Sequence, residues 1–444
     1  MANKENVKYL IIGNSAGGIG AAETIRQVDK SGTMTIVSDE PYPAYSRPMI
    51  SKYLAERCPL ERMLFRPADF YTRHNINALL GSPVERIDIA RHSLQLASKR
   101  EITWEKLLLA PGGSPIVPPI EGIGLNGVFK FTTLDDAKHI DEFLNQHPGK
   151  TRAVVIGGGL IGISVTEALV KRGVGVAVVE MKERVLNTIL DEEGSALVDQ
   201  VLRQAGVEIV TGQTVTGVKS NPAGDTAGAI LGNNLPLSCE MVVAAIGVRP
   251  RTELAAAAGI KVNRGVVVDR QMATSITGVY ACGDATEAYD FIYGENRLSP
   301  VWPNAYLGGR VAGFNMAGQT KEYPGGTAMN SLSYFGLAVV SAGIVSPPDN
   351  GYEVLTNRRG STYKKIVIKD GHIVGMVFIG DIEKSGIIFS LMKEQVNVTG
   401  FKKSLVADDF GLASLPEEIW RARIRTPDAL VSPGKSPAGE LVYK

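Results

Sequence analysis

Cysteine is scarce in this chain: Cys58, Cys239 and Cys282 are the only three among 444 residues, far apart in sequence. Such spacing offers neither a disulfide framework nor a metal cluster, and no metal site is expected. Histidine is nearly as rare, with five residues at positions 74, 92, 139, 147 and 372. Neither sign of charge dominates, because 47 Lys and Arg against 46 Asp and Glu leave a formal net charge of +1. So even a balance gives no global attraction for nucleic acid or an anionic membrane. No apolar run reaches about 18 residues, so no spanning helix is expected. The opening MANKENVKYLIIG leads straight into a strand pattern, leaving no room for a signal peptide. The cytoplasm is the expected compartment.

Glycine is plentiful at 49 residues, and the apolar content of 44% with 21% charge is that of globular protein. The length predicts about two to four domains. Residues 152–180, RAVVIGGGLIGISVTEALVKRGVGVAVVE, give an apolar run, spaced glycines, a helical pattern, a second apolar run and a terminal acid. Residues 9–40, YLIIGNSAGGIGAAETIRQVDKSGTMTIVSDE, follow a similar plan. Strands are predicted at 8–12, 34–38, 153–156 and 175–179, with helices at 16–28 and 160–172. Between the copies, LLLAPGGSPIVPPIEG is dense in proline and glycine and reads as a crossover between domains. MVVAAIGVRP then returns the chain, and GVYACGDATEA with a helix over 304–316 completes the first unit. YKKIVIKDGHIVGMVFIG alternates apolar and polar residues about Asp370-Gly371, a hairpin pattern, and an amphipathic helix follows near 383–395. The expectation is an α/β protein with two Rossmann-like dinucleotide-binding domains and an α+β C-terminal domain. Residues 1–112 and 245–325 form the first unit, 113–244 the second, 326–425 the C-terminal domain and 426–444 a mobile tail.

Gly157, Gly159 and Gly162 complete a G-x-G-x-x-G between strand and helix. The first permits a tight turn, the second lets backbone approach a pyrophosphate, and the third lets helix and strand pack closely. The helix start at Leu160 and Ile161 offers free N–H groups and partial positive charge to the phosphates. Glu180, 23 residues after Gly157, can accept both ribose hydroxyls and repels a 2′-phosphate, which favours NADH over NADPH. Lys182 and Arg184, close behind, pull the other way. Together the features are specific. The first unit departs from this ideal: Gly13 and Gly18 hold the outer positions, but Ser15 takes the middle one, ahead of Ala16. Serine is small enough for close approach, and its hydroxyl can bond a phosphate oxygen. Asp39 and Glu40 are both candidates for the ribose contact. In VYACGDA, Gly283 and Asp284 place an acid where backbone can approach a ligand, though a turn or helix-cap role stays open.

These residues resemble the pyridine nucleotide-disulfide oxidoreductase superfamily, over roughly residues 7–320. The resemblance implies that the first unit holds FAD, with Asp284 on its ribityl–phosphate region, and the second holds NAD(H), with NADP(H) the less favoured ligand. Gly112 and Gly247 are the crossover glycines. The stretch PYPAYSRPMISKYL looks like the branch of rubredoxin reductases, ferredoxin reductases and the flavoprotein part of NAD(P)H nitrite reductases. There, an Arg and a Lys contact FAD, here Arg47 and Lys52. The hairpin about Asp370-Gly371 resembles the region following that flavoprotein part. Two departures stand out: Pro111 replaces the usual Thr of the crossover, and Ser164 replaces a Glu that relatives carry near nicotinamide as partner of the Lys.

Thiol-based relatives need cysteine beside the flavin, and PYPAYSRPM has none. Cys58 lies just beyond it and reads as incidental, and Cys282 as a buried, inert thiol. Electrons arriving as hydride must then leave directly from flavin. Lys52 is the candidate to stabilise the charge on reduced flavin, together with the helix start near Pro303. Trp302 and Tyr306 either flank the ring or pack in an interface. The leading expectation is an FAD-dependent NAD(P)H oxidoreductase exchanging single electrons with a small ferredoxin, rubredoxin or iron–sulfur subunit. The alternatives are an NADH oxidase or diaphorase reducing oxygen, quinone or a small molecule, and a non-enzymatic flavin- and NADH-sensing protein. The C-terminal domain is expected to cover the flavin edge or form an interface, in a homodimer or a larger redox complex.

Overall fold

The strand Glu5–Ile12 is buried without interruption from Tyr9 onward, as suits the centre of a parallel sheet covered on both faces. The computed structural model describes residues 5–149 and 151–424; the tail expected at 426–444 lies outside the described residues. Glu5–Ile12 pairs in parallel with Met34–Val37 on one side and Glu101–Leu109 on the other. Asn77–Leu79 extends the sheet at one edge. Glu101–Leu109 is long enough to serve two neighbours: Ser93–Leu96 pairs antiparallel with its first half, and Val279–Ala281 parallel with its last three residues. The strand of GVYACGDATEA therefore does return to the first unit.

A second sheet runs Glu208–Thr211, Gly175–Glu180, Arg152–Ile156, Met241–Ala244, Val128–Lys130, all parallel. An antiparallel meander, Val215–Ser220, Thr226–Leu231 and Pro236–Leu237, lies beside it. The chain enters and leaves this unit along one ribbon, in which Gly113–Pro115 pairs antiparallel with Val248–Pro250. The third sheet is antiparallel, in the order Met329–Tyr334, Leu337–Gly343, His372–Ile379, Thr362–Lys369, Glu353–Arg359. Asp370 and Gly371 both take positive φ, 49° and 78°, which two-residue hairpin turns require.

The helices follow the sequence closely. Ala16–Val28 is as read, Leu160–Lys171 ends one residue early, and Trp302–Met316 begins two residues early with Pro303 in its first turn, where a missing N–H costs nothing. Ser385–Lys393 is shorter than read; Gln395, at φ 50°, has already left helical backbone. Ala16–Val28 and Trp302–Met316 pack so closely that a Cβ on Gly309 would overlap the Gly17 carbonyl oxygen.

Two placements were not visible in the sequence. The stretch from Tyr45 to Met63 buries Tyr45, Ile50, Leu54 and Met63 in the same core as Val155, Ile163 and Val243 of the second unit. The C-terminal sheet contributes Tyr334, Val339, Tyr363, Val377 and Ile379 to that core as well. Its other face closes a separate core over Ile388, Leu391 and Met392 of the helix Ser385–Lys393. The C-terminal domain thus leans on the second unit.

Candidate functional site

The two glycine turns repeat each other atom for atom. The Gly13 N–H donates to the Val37 carbonyl at 2.8 Å, and the Gly157 N–H to the Val179 carbonyl at 2.8 Å. Ala110 N–H donates to Ile12 at 2.8 Å, as Ala245 does to Ile156 at 2.9 Å. Gly13 and Gly157 have φ of 113° and 107°, and a Cβ on either would strike the carbonyl oxygen of Ala110 or Ala245. Only glycine holds these turns. Gly18 and Gly162 close them from below, each facing the carbonyl oxygen of Gly13 or Gly157, and neither borders the cavity described next.

One continuous cavity of about 1200 Å³ joins the two turns, larger than the roughly 300–1,000 Å³ of a site for one small ligand. Gly13, Ser15, Ala16, Asp39, Glu40, Arg47, Lys52, Gly112, Gly247, Gly283, Asp284 and Trp302 border it from the first unit, and Gly157, Gly159, Leu160, Ile161 and Glu180 from the second. Both helix N-termini open into it without a side-chain cap, and a Cβ on Gly159 or Gly112 would meet nothing within 4 Å. Free amides at two helix ends beside open space fit two pyrophosphates. The donor set therefore suits two dinucleotides, FAD at Ser15–Ala16 and NAD(H) at Gly159–Leu160.

The acids are held differently. Glu180 is buried, its carboxylate accepting the Gly158 N–H at 2.6 Å and the Lys182 N–H at 2.8 Å. The backbone match makes Ser38 the counterpart of Glu180, because each follows the residue bonded by the turn glycine. Asp39 instead pairs with Arg251 at 2.7 Å. Glu40 accepts the Tyr45 hydroxyl at 2.6 Å and an ion pair from Arg47. Burial pushes the Asp284 carboxyl up, and Arg47 pulls it back. Lys182 borders the cavity, while Arg184 does not.

Lys52 is exposed on the helix Ile50–Glu56 and borders the cavity. Ser164 borders it too, and Glu167 lies one turn further along the helix. Trp302 borders the cavity, but Tyr306 turns away from it, its hydroxyl donating to Glu23 at 2.8 Å. Of the two expectations for Tyr306, flanking a ring or packing in an interface, its contacts match the second. Among the side chains that the sequence reading missed are Arg251 and the strand end Ser331–Tyr334. Arg251 follows the quoted MVVAAIGVRP directly, whereas nothing local to Ser331–Tyr334 marks it as part of a site.

One cysteine does border the cavity: Cys282, fully buried. Its sulfur stands 2.7 Å from where a Cβ on Gly17 would sit, at the start of a helix. Burial, aided by Asp284, pushes its thiol up to about 12, so it is protonated and a poor nucleophile at neutral pH. Cys239 is buried likewise. Among the described residues, no group of three or more His, Cys, Asp or Glu could hold a metal, and no helix is long and apolar enough to cross a membrane.

Two glycine turns facing one cavity define a protein that brings two dinucleotides together. Comparison with known proteins gives the family. The chain belongs to the pyridine nucleotide-disulphide oxidoreductases, whose family model matches residues 7–309, and a rubredoxin NAD+ reductase C-terminal domain matches residues 329–396. It is an FAD-dependent NAD(P)H oxidoreductase. It is 30% identical to the NADH-dependent phenylglyoxylate dehydrogenase subunit epsilon of Aromatoleum evansii, over 94% of this chain and 99% of that one. It is 32% identical to an NADH oxidase of Methanocaldococcus jannaschii, over 84% and 88% of the two chains. The covalent putidaredoxin reductase–putidaredoxin complex is similar in structure, with TM-score 0.82, 25% identity, and 95% and 99% of the two chains covered.

Proposed function

We propose that this chain passes electrons between NAD(H) and a small iron–sulfur or rubredoxin-type carrier protein, in either direction. Residues 1–112 and 245–325 serve FAD, 113–244 serve NAD(H), and 326–425 close the cavity over the nicotinamide side. FAD, when bound, supplies the conversion between two-electron and one-electron transfer. The chain's own work is to hold and orient. Ser15, Ala16 and the crossover glycine Gly112 cradle the flavin dinucleotide, with Asp284 and Arg47 at its polar groups. Gly159, Leu160 and Ile161 receive the nicotinamide dinucleotide, and Glu180, whose two carboxylate oxygens each accept one backbone N–H and keep a further lone pair, takes its adenosine ribose. Lys52, exposed at the cavity edge, sets the charge near the reacting rings. NADH as electron donor suits the cytoplasm.

The observation carrying this reading is the single cavity that both glycine turns share, with Cys282, its only bordering thiol among the described residues, packed away against Gly17. The two relatives favour different acceptors. The phenylglyoxylate dehydrogenase subunit, which this chain spans almost entirely, supports docking into a larger redox complex. The NADH oxidase supports oxygen as acceptor, the second reading. Anaerobic reduction by NADH, followed by reoxidation with ferredoxin, rubredoxin, quinone and oxygen in separate trials, decides between them. Multiple turnovers with ferredoxin or rubredoxin are expected. Turnover with oxygen or quinone alone overturns the carrier reading, and stoichiometric reduction with no turnover on any acceptor points to a sensor.

A further inference from the structure

The C-terminal domain reaches the cavity through the end of one strand, Met329–Tyr334. Tyr334 is 2% exposed and borders the cavity wall. Its hydroxyl is buried beside Ser164, and the hydrogen bond between the two is not well formed. A buried hydroxyl left unpaired costs about 1–3 kcal/mol, so a side chain kept in that state points to a hydrogen bond that is completed when a ligand arrives. The strand is held in place one residue later, where the Phe335 N–H donates to the Glu167 carboxylate at 3.1 Å. Glu167 sits one turn beyond Ser164 on the helix Leu160–Lys171, so strand and helix are tied together beside the two hydroxyls.

The ligand follows from direction. A dinucleotide with its pyrophosphate on the Gly159 N-terminus and its adenosine towards Glu180 and Met181 sends its other half along the helix. It passes Leu160 and Ile161 and reaches Ser164 about 6 Å further on, and all these residues border the cavity. The group at that end is a nicotinamide, whose carboxamide both donates and accepts hydrogen bonds. We propose that Ser164 and Tyr334 form the carboxamide subsite, with Ser164 touching the ligand and Tyr334 positioning it. The inference rests on the reading of the second unit as the NAD(H) site. With the ligand bound, the Tyr334 O–H donates to Ser164 Oγ, which leaves the Ser164 O–H aimed at the carboxamide oxygen. The pair is neutral, so recognition here uses two hydroxyls and no carboxylate. It also makes the C-terminal domain part of the nicotinamide site.

Binding of NAD+ and of ADP-ribose to the FAD-loaded full-length chain, measured by calorimetry, tests this. Both ligands carry adenosine and pyrophosphate, and only NAD+ carries the carboxamide. Tyr334→Phe and Ser164→Ala are each expected to weaken NAD+ roughly fivefold, the loss of one neutral hydrogen bond, with ADP-ribose unchanged. The double variant is expected to bind NAD+ no more weakly than Ser164→Ala alone, because Tyr334 acts through Ser164. Unchanged NAD+ affinity, a parallel loss for ADP-ribose, or additive effects each overturn the proposal. Should Tyr334→Phe fail to fold, Ser164→Ala with the two ligands still decides it. If the unaltered chain binds neither ligand, the NAD(H) reading of the second unit falls instead.

Discussion

Cys282 keeps its sulfur in a slot that exists because residue 17 is glycine. Burial pushes the thiol up to about 12 from an ordinary 9.0, so its thiolate is far scarcer at neutral pH than that of a free cysteine. Cys282→Ala is therefore expected to leave NADH-linked turnover within about twofold, at a stability cost near 1 kcal/mol for the small void. A loss of turnover beyond about tenfold means the thiol takes part in the chemistry after all. The same residue predicts an alkaline effect. Between pH 9 and about 12 the folded thiol keeps its proton and the unfolded one does not. Its contribution is thus full below pH 9 and lost as pH rises towards 12. Denaturation midpoints across that range should fall less steeply in Cys282→Ala than in the parent chain.

At the scale of elements, the helix Glu192–Gln204 joins the second unit to the C-terminal sheet through its cap. Asp191 accepts the Gly194 N–H at 3.1 Å, the Tyr363 hydroxyl at 2.7 Å and the Lys365 ammonium at 2.7 Å. Lys365 is nearly buried. Burial works against the Asp191 carboxylate, but Lys365, Tyr363 and Gly194 together hold it below its ordinary 3.8. Its stability contribution is therefore present above pH 4 and lost as pH falls below it. Asp191→Asn keeps a capping oxygen but strands the Lys365 charge, so a loss of about 3 kcal/mol is expected in urea denaturation. A loss under about 1 kcal/mol shows that the cap alone mattered. The two turn–helix units themselves were legible, since glycine spacing and apolar runs are local signals. The stretch Tyr45–Met63 was not legible as a bridge. Its Arg47 side chain donates to the Thr132 carbonyl at 3.0 Å, and Arg172 of the second unit donates to the Leu54 carbonyl at 2.9 Å, contacts between residues with no relation in sequence.

For the whole molecule, the shared core makes one prediction. Tyr334, Val339, Tyr363, Val377 and Ile379 of the C-terminal sheet pack with the second unit, while the first unit has a core of its own. A chain ending at Thr320 exposes the second unit's apolar face and is expected to aggregate or to bind NAD+ poorly, with FAD retained to a greater degree. Flavin absorbance per protein and NAD+ calorimetry on the truncated chain check this. Full retention of NAD+ affinity contradicts both the shared core and the Tyr334 subsite.

The sequence by itself determined the two glycine-turn units and the lack of a cysteine in PYPAYSRPM, while the flavin followed only from the resemblance to a family. Those features are written in short-range spacing, where a turn, a strand and a helix end lie within some 30 residues. The tertiary structure alone decided that Ser38 stands opposite Glu180, that Tyr306 faces away, and that Cys282 reaches the cavity wall without becoming reactive. It also decided that the C-terminal strand delivers Tyr334 beside Ser164, some 170 residues away in sequence. Burial, desolvation and contacts between distant segments depend on how the sheets pack, and no local pattern encodes them.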